Sequence, residues 1–370
     1  MPKIRRSSEL QPKPLFLERM KRLLPEEKDF GNYLKILQEN PQVSIRCNTL
    51  KISPEKLKAR LENKGWKLSQ PFKEHPEIMI VEGKISKNNS DNPANQNNDN
   101  LYNKYNENAT DTIKIKRGDI TKSQNVIPLS PGELGRSLEH LLGYYYTQEI
   151  ASMLPVLILN PEENELVLDL AAAPGSKTTQ ISGMMNNKGT VIANEMQLGR
   201  LKVLKTNLER CGTANVIITK REGSALCEKL NKAGFSFKRI LIDAPCSGEG
   251  TLRSTPRGFL MWNINNIKQF SNIQKKLIES ALKILNRGGT LIYSTCTHAP
   301  EENEEVMDDV LAKFKDIKIE KINLPKELKI RPGITKWNDK SYSEQVKHAC
   351  RIYPQDNNTE GFFIAKLVKK

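Results

Sequence analysis

The sequence predicts an α/β chain, in which a mostly parallel, doubly wound sheet follows a smaller, basic α+β module. Three observations carry this reading. From Val126 onward, short apolar runs (LVLDL, TVIANE, NVIIT, RILID, TLIYSTC) alternate with amphipathic stretches, the pattern of parallel strands joined by crossover helices. Before that, SIRCNTLKISPEKLKARLENKGWKL and EIMIVEG read as strand, helix and strand with basic edges. At 370 residues the chain also exceeds one typical core. The expected division is a helical segment at 1–40, a small domain at 41–125 and a large domain at 126–370.

Residues 14–39 read as helical, with Leu15, Leu17, Leu23, Leu24, Tyr33, Leu34 and Leu37 set among charges. Ser53 is the expected N-cap of the next helix, with Pro54 at its first position. Leu57, Leu61 and Trp66 cover one side of that helix, and Gly65 stops it. Residues 84–111 are asparagine-rich and nearly free of aliphatic side chains, too polar to offset chain entropy by burial, so a flexible insertion is expected there. LEHLLGYYYTQEIASMLPVLIL reads as helical, and ELVLDLAAAPGSKTTQISGMM as strand, glycine-bearing turn and helix. The next helix places Leu201, Leu204 and Leu208 on one face and stops at Gly212. A long amphipathic helix at 264–285 closes at Gly288 and Gly289, and a last helix opens at Pro300. RIYPQDNNTEGFFIAKL is the final strand pair, with Phe362 and Phe363 as core.

The formal net charge of +15 favours a polyanionic partner, nucleic acid above all. Residues 1–70 hold sixteen Lys and Arg against eight Asp and Glu, so the N-terminal module is its expected place. No run approaches the ~18 apolar residues that would span a bilayer, and MPKIRRSSELQPKPLF lacks the apolar core of a signal peptide. A soluble, cytoplasmic protein is expected. The six cysteines lack CxxC spacing, and His298 and His348 stand in no ligand pattern, so neither disulfides nor a metal is expected.

Four sites could carry chemistry. In LVLDLAAAPGSKT, the small residues from Ala171 to Ala173 and Gly175 let a ligand approach the backbone, and the following helix offers free N–H groups. The run is neither GxGxxG nor GxxxxGK[ST], which disfavours dinucleotide and triphosphate readings. Asp169 orients this turn or meets a ligand amine, and Glu195, ending the next strand, suits ribose hydroxyls. Asp243 and Cys246 close a later strand in DAPCSGEGTLR. A lone cysteine there would ordinarily be a small core hydrophobe. Cys296, however, ends the following strand, so within one sheet both thiols face one crevice. The helix expected after Cys296 would lower its thiol pKa, an effect that Glu301 and Glu302 oppose.

DLAAAPGSKT, DAPCSGEGTLR and YSTCTHAPEENE, with SIRCNTLK, YYYTQEIAS and GFFIAKL, resemble the Nop/Sun family of RNA cytosine-5 methyltransferases, its archaeal tRNA-type members most of all. The resemblance runs from about residue 43 to the end, outside the insertion. It implies a Rossmann-like class I methyltransferase domain behind an RRM-like RNA-binding domain. S-adenosylmethionine would then lie against Ala171, Ala172, Ala173, Pro174, Gly175, Ser176 and Lys177, with Glu195, Arg200, Glu222 and Asp243 completing its site. The family usually has Asp where this chain has Glu222 and Cys where it has Ala171. By resemblance Cys296 attacks carbon 6 of cytosine, Asp243 holds ring nitrogen 3, Lys177 positions the base, and Cys246 assists release. Arg46, Asn48 and Lys51 would contact RNA, and Arg351 is a further candidate. The expected substrate is tRNA, with rRNA as the alternative, and the expected state is a monomer. A non-catalytic RNA-binding or assembly factor and a nicotinamide-dependent oxidoreductase are the competing classes. Both cysteines together with Asp243 and Lys177 weigh against the first, and the glycine pattern weighs against the second.

Overall fold

The computed structural model describes residues 12–85, 126–130 and 132–370. Of the expected insertion, Lys84 and Ile85 complete a strand, and the rest lies outside the described residues. The 14–39 stretch forms two helices, α1 (Pro14–Leu23) and α2 (Glu27–Ile36). Their apolar side chains Phe16, Met20, Leu24 and Tyr33 pack with Leu252, Phe259, Trp262, Ala299 and Tyr353, so this segment braces the large domain.

The small sheet contains β1 (Ser44–Cys47), β2 (Trp66–Ser69) and β3 (Ile78–Ile85), with α3 (Pro54–Glu62) across one face. Ser53 caps α3 by accepting from Lys56 N, and Leu57, Leu61 and Trp66 are buried as expected. Two segments expected in the large domain form strands that pair here instead. β4 (Val126–Ile127) lies against β3, and β5 (Tyr145–Thr147) against β1. YYYT is therefore no part of a helix, and the small sheet continues past residue 126. Tyr145 is buried in the small core, and Tyr146, on the opposite face, is buried as well.

The large sheet follows α4 (Ile150–Leu159). Its strands and helices in chain order are β6 (Leu166–Asp169), α5 (Ser176–Met184), β7 (Thr190–Asn194), α6 (Leu198–Cys211), β8 (Val216–Thr219), α7 (Gly223–Lys232), β9 (Phe237–Asp243), α8 (Ile264–Lys283), β10 (Leu285–Thr295), α9 (Glu304–Lys313), β11 (Ile317–Glu320), β12 (Arg331–Pro332), β13 (Cys350–Ile352) and β14 (Phe362–Lys369). The strand order is β12-β13-β14-β10-β9-β6-β7-β8, parallel from β10 to β8. β14 inserts antiparallel between β10 and β11. This is the expected Rossmann-like architecture, buried on both faces by two apolar clusters. Gly288 and Gly289 fall inside β10 at a register shift, where Asn286 O and Lys238 O leave no room for a Cβ on Gly289, so they do not close α8. Gly212 does end α6, at φ 71°.

The three residues expected to touch RNA bind the two sheets together. Arg46 is buried and donates to Gln148 Oε1 at 2.9 Å, Thr179 Oγ1 at 2.8 Å and Ser176 O at 3.2 Å. Asn48 is buried and donates to Gly143 O and Cys211 O. Lys51 is exposed, but its ammonium donates to Leu142 O and Arg210 O, carbonyls at the C-terminal ends of two helices. Arg351 is likewise buried, in an ion pair with Glu304. Arg46, Asn48 and Arg351 are thus buried with donors engaged inside the fold, and Lys51 alone of the four stays exposed. Arg46→Ala should therefore lower folding stability by about 3 kcal/mol, because it leaves buried acceptors unpaired. A denaturant titration checks this, and an unchanged midpoint with weakened RNA binding would restore the RNA-contact reading.

Candidate active site

Asp243, Cys246 and Cys296 sit at or just past the carboxyl ends of parallel strands, where a doubly wound sheet opens, and Lys177 opens the helix that follows β6. β9 and β10 pair in parallel with Ser294 level with Asp243, so the loops carrying Cys246 and Cys296 start side by side. Cys246 Sγ lies 3.2 Å from Cys296 Sγ. The loops are tied by Ser247 Oγ to Thr297 Oγ1 at 2.8 Å and by Gly250 N donating to Cys296 O at 2.8 Å. Gly250 has no alternative here: a Cβ would stand 2.2 Å from Gly361 O.

Asp243 is held on two sides. Ser294 Oγ donates to its Oδ1 at 2.8 Å, and Lys177 Nζ to its Oδ2 at 2.7 Å. Lys177 is buried, also donates to Ser152 Oγ at 2.8 Å, and lies 5.3 Å from the Phe362 ring centre. The helix expected immediately after Cys296 begins only at Glu304, so its N-terminus does not abut the thiol. Glu301 also turns away, forming a two-pronged pair with Arg19 of α1 at 3.0 and 2.7 Å.

The charge near the thiols comes from Glu302. Its Oε2 accepts from Ser247 N at 3.1 Å and Gln274 Nε2 at 2.8 Å. Burial pushes this carboxyl up to about 7, against those two hydrogen bonds. The Cys246 thiol is held well above its ordinary range, first by its contact with Cys296, then by burial and by the nearby Glu302 charge. Two thiols this close do not both ionise. The proton is held at Cys246, the thiol nearer the Glu302 carboxyl.

Glu302 also gives a pH signature. A carboxyl whose pKa rises on folding stabilises the fold below the ordinary Glu range, and that contribution is lost as pH climbs through about 7. Between pH 5 and pH 8 the melting temperature of the natural protein should fall more than that of Glu302→Gln. Equal falls in the two proteins would contradict the assignment.

Two cavities meet at these residues. One, of about 420 Å³, is lined by Ala171, Ala173, Glu195, Arg200 and Glu222, and reaches Asp243 and both thiols. The other, of about 500 Å³, lies toward the small sheet and is lined by Ser152, Lys177, Asp243, Cys296, Glu360 and Phe362. Asp243, Ala244 and Cys296 form the shared wall. Cys246 faces only the first cavity.

The first cavity fits a nucleoside-bearing cofactor. Glu195 Oε1 caps Gln197 N at 2.8 Å, its Oε2 is 3.5 Å from Arg200, and Arg200 in turn holds Ala173 O at 2.6 Å. Asp169, beneath the loop, accepts from Thr178 through Oδ2, while its buried Oδ1 has no hydrogen-bond partner. Burial pushes this carboxyl up to about 6, and Asp169 lines neither cavity, so it orients the turn. Ala172, Pro174, Gly175 and Ser176 shape the turn without lining the cavity, and Lys177 faces the other one. Gly175 adopts φ 104°, with Leu204 at the limit of contact for any Cβ. Glu222 lines the cavity, but its carboxylate caps α7 through Ser224 N and Ala225 N.

Ser152, Gln274, Ser294, Glu302 and Glu360 were not singled out from the sequence as members of this site. Glu302 alone had a local signal, the acidic stretch after the TC pair. Among the described residues no cluster of His, Cys, Asp and Glu could hold a metal, and no helix is long and apolar enough to cross a membrane.

Residues 156–368 match the family described as 16S rRNA methyltransferase RsmB/F. The tRNA (cytosine(49)-C(5))-methyltransferase of Pyrococcus abyssi is 43% identical over 235 residues, 64% of this chain and 73% of that protein. The ribosomal RNA small subunit methyltransferase F of Vibrio campbellii is 34% identical over 357 residues, 96% of this chain, and this chain spans 62% of the length of that relative. Among solved structures, a methyltransferase homolog protein from Pyrococcus horikoshii superposes with a TM-score of 0.74 at 29% identity, covering 99% of this chain and 98% of that one. NSun6 from Pyrococcus horikoshii, crystallised with SFG, gives 0.72 at 28% identity, covering 96% and 98%. With the paired thiols, the strand order and the match over 156–368 in agreement, this chain belongs to the RsmB/F family of methyltransferases, the Nop/Sun group that its motifs resemble.

Proposed function

We propose that this protein methylates carbon 5 of a cytosine in RNA, with S-adenosylmethionine as methyl donor and tRNA as substrate. The observation that carries the reading is the shared wall: Asp243 and Cys296 stand where a cofactor cavity meets a second cavity large enough to admit a base. When bound, the cofactor supplies an electrophilic methyl group. The residues of the chain supply the rest.

Carbon 5 of cytosine is too electron-poor to attack a sulfonium methyl unaided. Addition of Cys296 at carbon 6 converts the ring to an enamine-like nucleophile. Negative charge then develops toward ring nitrogen 3, and the Lys177–Asp243 pair, steadied by Ser294 and Ser152, neutralises it by sharing its proton. Once Cys296 is bonded to carbon, its coupling to Cys246 disappears, and with it the largest cause holding that thiol protonated. Cys246 then gives up its proton to solvent more readily, and as thiolate it takes the proton from carbon 5 while the bond from carbon 6 to Cys296 Sγ breaks and Cys296 leaves as thiolate. A base inside a helix cannot reach this wall, so the target is unpaired or flipped out.

The tRNA assignment is supported by the higher identity to the archaeal tRNA enzyme, and the longer alignment to rRNA methyltransferase F keeps rRNA as the second reading. The test is nucleoside mass spectrometry of unmodified tRNA and rRNA incubated with the protein and S-adenosylmethionine. 5-Methylcytidine in tRNA supports the proposal, label in rRNA alone moves the substrate, and no 5-methylcytidine in either overturns the activity.

A further inference from the structure

The second cavity holds a carboxylate that none of these steps uses. Glu360 is 4% exposed, and both of its carboxylate oxygens are buried without a hydrogen-bond partner of ordinary geometry. Ser254 lies beside it, and its backbone N–H and hydroxyl both polarise the carboxylate without reaching ordinary hydrogen-bond geometry, the hydroxyl donating to Thr251 O at 3.1 Å. Arg253, whose charge offsets part of the burial, directs Nη1 and Nη2 to Thr359 O, Asn40 O and Asn358 Oδ1. The neighbouring Glu149 lines the same cavity, yet it is fully engaged: Ser152 N donates to its Oε2 and Glu360 N to its Oε1, each at 3.1 Å. Glu360 alone of the pair is left with acceptors to fill.

Its position relative to the nucleophile is fixed. Gly361 N donates to Gly250 O at 2.8 Å, and Gly250 N donates to Cys296 O at 2.8 Å, so two hydrogen bonds link the Glu360 segment to the Cys296 peptide. A Cβ on Gly361 would stand 2.3 Å from His298 Cε1, so this ladder has no slack. Buried acceptors without donors are strongly unfavourable unless a ligand supplies the donor. Of the two RNA pyrimidines, cytosine presents an exocyclic amine and uracil presents an acceptor carbonyl at the same place.

We infer that Glu360 accepts a hydrogen bond from the exocyclic 4-amino group of the target base, and so makes the site select cytosine over uracil. The inference rests on the methyltransferase reading above. Asp243 and Lys177 serve ring nitrogen 3, Cys296 serves carbon 6, and Glu360 serves the amine that distinguishes the two bases.

The test pairs a change in the protein with a change in the base. The cytosine methylated by the natural protein is mapped in a tRNA transcript. The RNA is then resynthesised with pyrimidin-2-one, which lacks the amino group, at that position. Covalent protein–RNA complex formation is timed on denaturing gels in a Cys246→Ala background, where adducts are expected to accumulate. Adding Glu360→Leu should reduce the cytosine-to-pyrimidin-2-one rate ratio at least about tenfold, and Glu360→Gln, a neutral acceptor, should recover part of it. An unchanged ratio, with both RNAs slowed alike, would mean that Glu360 only supports the fold and would overturn the inference. S-adenosylmethionine binding reports folding, since Glu360 does not line the cofactor cavity. If the Leu variant does not fold, the Gln variant decides alone: a reduced ratio supports the inference and an unchanged one overturns it. If the Cys246→Ala protein forms no complex with cytosine RNA and the natural protein makes no 5-methylcytidine, the methyltransferase reading has failed instead.

Discussion

Cys296→Ala is expected to reduce methyl transfer to RNA by roughly four orders of magnitude or more, the scale on which losing a covalent nucleophile acts. The loss should fall on turnover rather than on cofactor affinity. Cys296 forms part of the wall between the cavities, while the Glu195 and Arg200 end of the cofactor site is untouched. Serine at 296 should be nearly as inactive, since an alcohol in this setting stays protonated and adds poorly to carbon 6. Single-turnover methylation assays with titrated cofactor check both statements. Activity within tenfold of the natural protein would remove Cys296 from the reaction.

Cys246→Ala should behave in the opposite sense. Addition and methyl transfer proceed, release does not, and the protein accumulates as a covalent complex with RNA that migrates slowly on a denaturing gel. The asymmetry follows from position and charge. Cys246 faces only the cofactor cavity, lies beside the Glu302 charge, and holds its proton while Cys296 is free. The Cys246→Ala/Cys296→Ala double variant should show no complex. Complex formation by the double variant, or by Cys296→Ala alone, would mean that the two roles are reversed or that another residue attacks.

The alternation of strand and helix was legible because apolar periodicity survives in sequence, and both thiols, Asp243 and Lys177 stand in motifs at strand ends. The same local cues put Ser53 on its helix and Gly212 at the end of another. What the sequence hid depends on contacts between distant segments. Tyr145 to Thr147 read as helix because apolar runs flank it, and only pairing with β1 makes it a strand. Arg46 read as an RNA contact because a charge on a strand is indistinguishable, in sequence, from one folded inward against Gln148 and Thr179, and Asn48 because its amide shows no sign of the Gly143 and Cys211 carbonyls it meets. Glu301 and Glu302 looked alike as neighbours, yet one pairs with Arg19 in α1 and the other enters the site between Ser247 and Gln274. Glu360 carried no signal, since its meaning lies in an absence of partners that only the folded chain defines.

The central claim is that Cys296, and not Cys246, bonds to the base. Peptide mapping by mass spectrometry of the complex trapped with Cys246→Ala and a cytosine-bearing RNA tests it most directly. The account predicts a methylated nucleotide attached to the peptide that contains Cys296. A nucleotide on any other peptide would contradict it, as would the absence of a trapped complex from protein that still binds both RNA and S-adenosylmethionine.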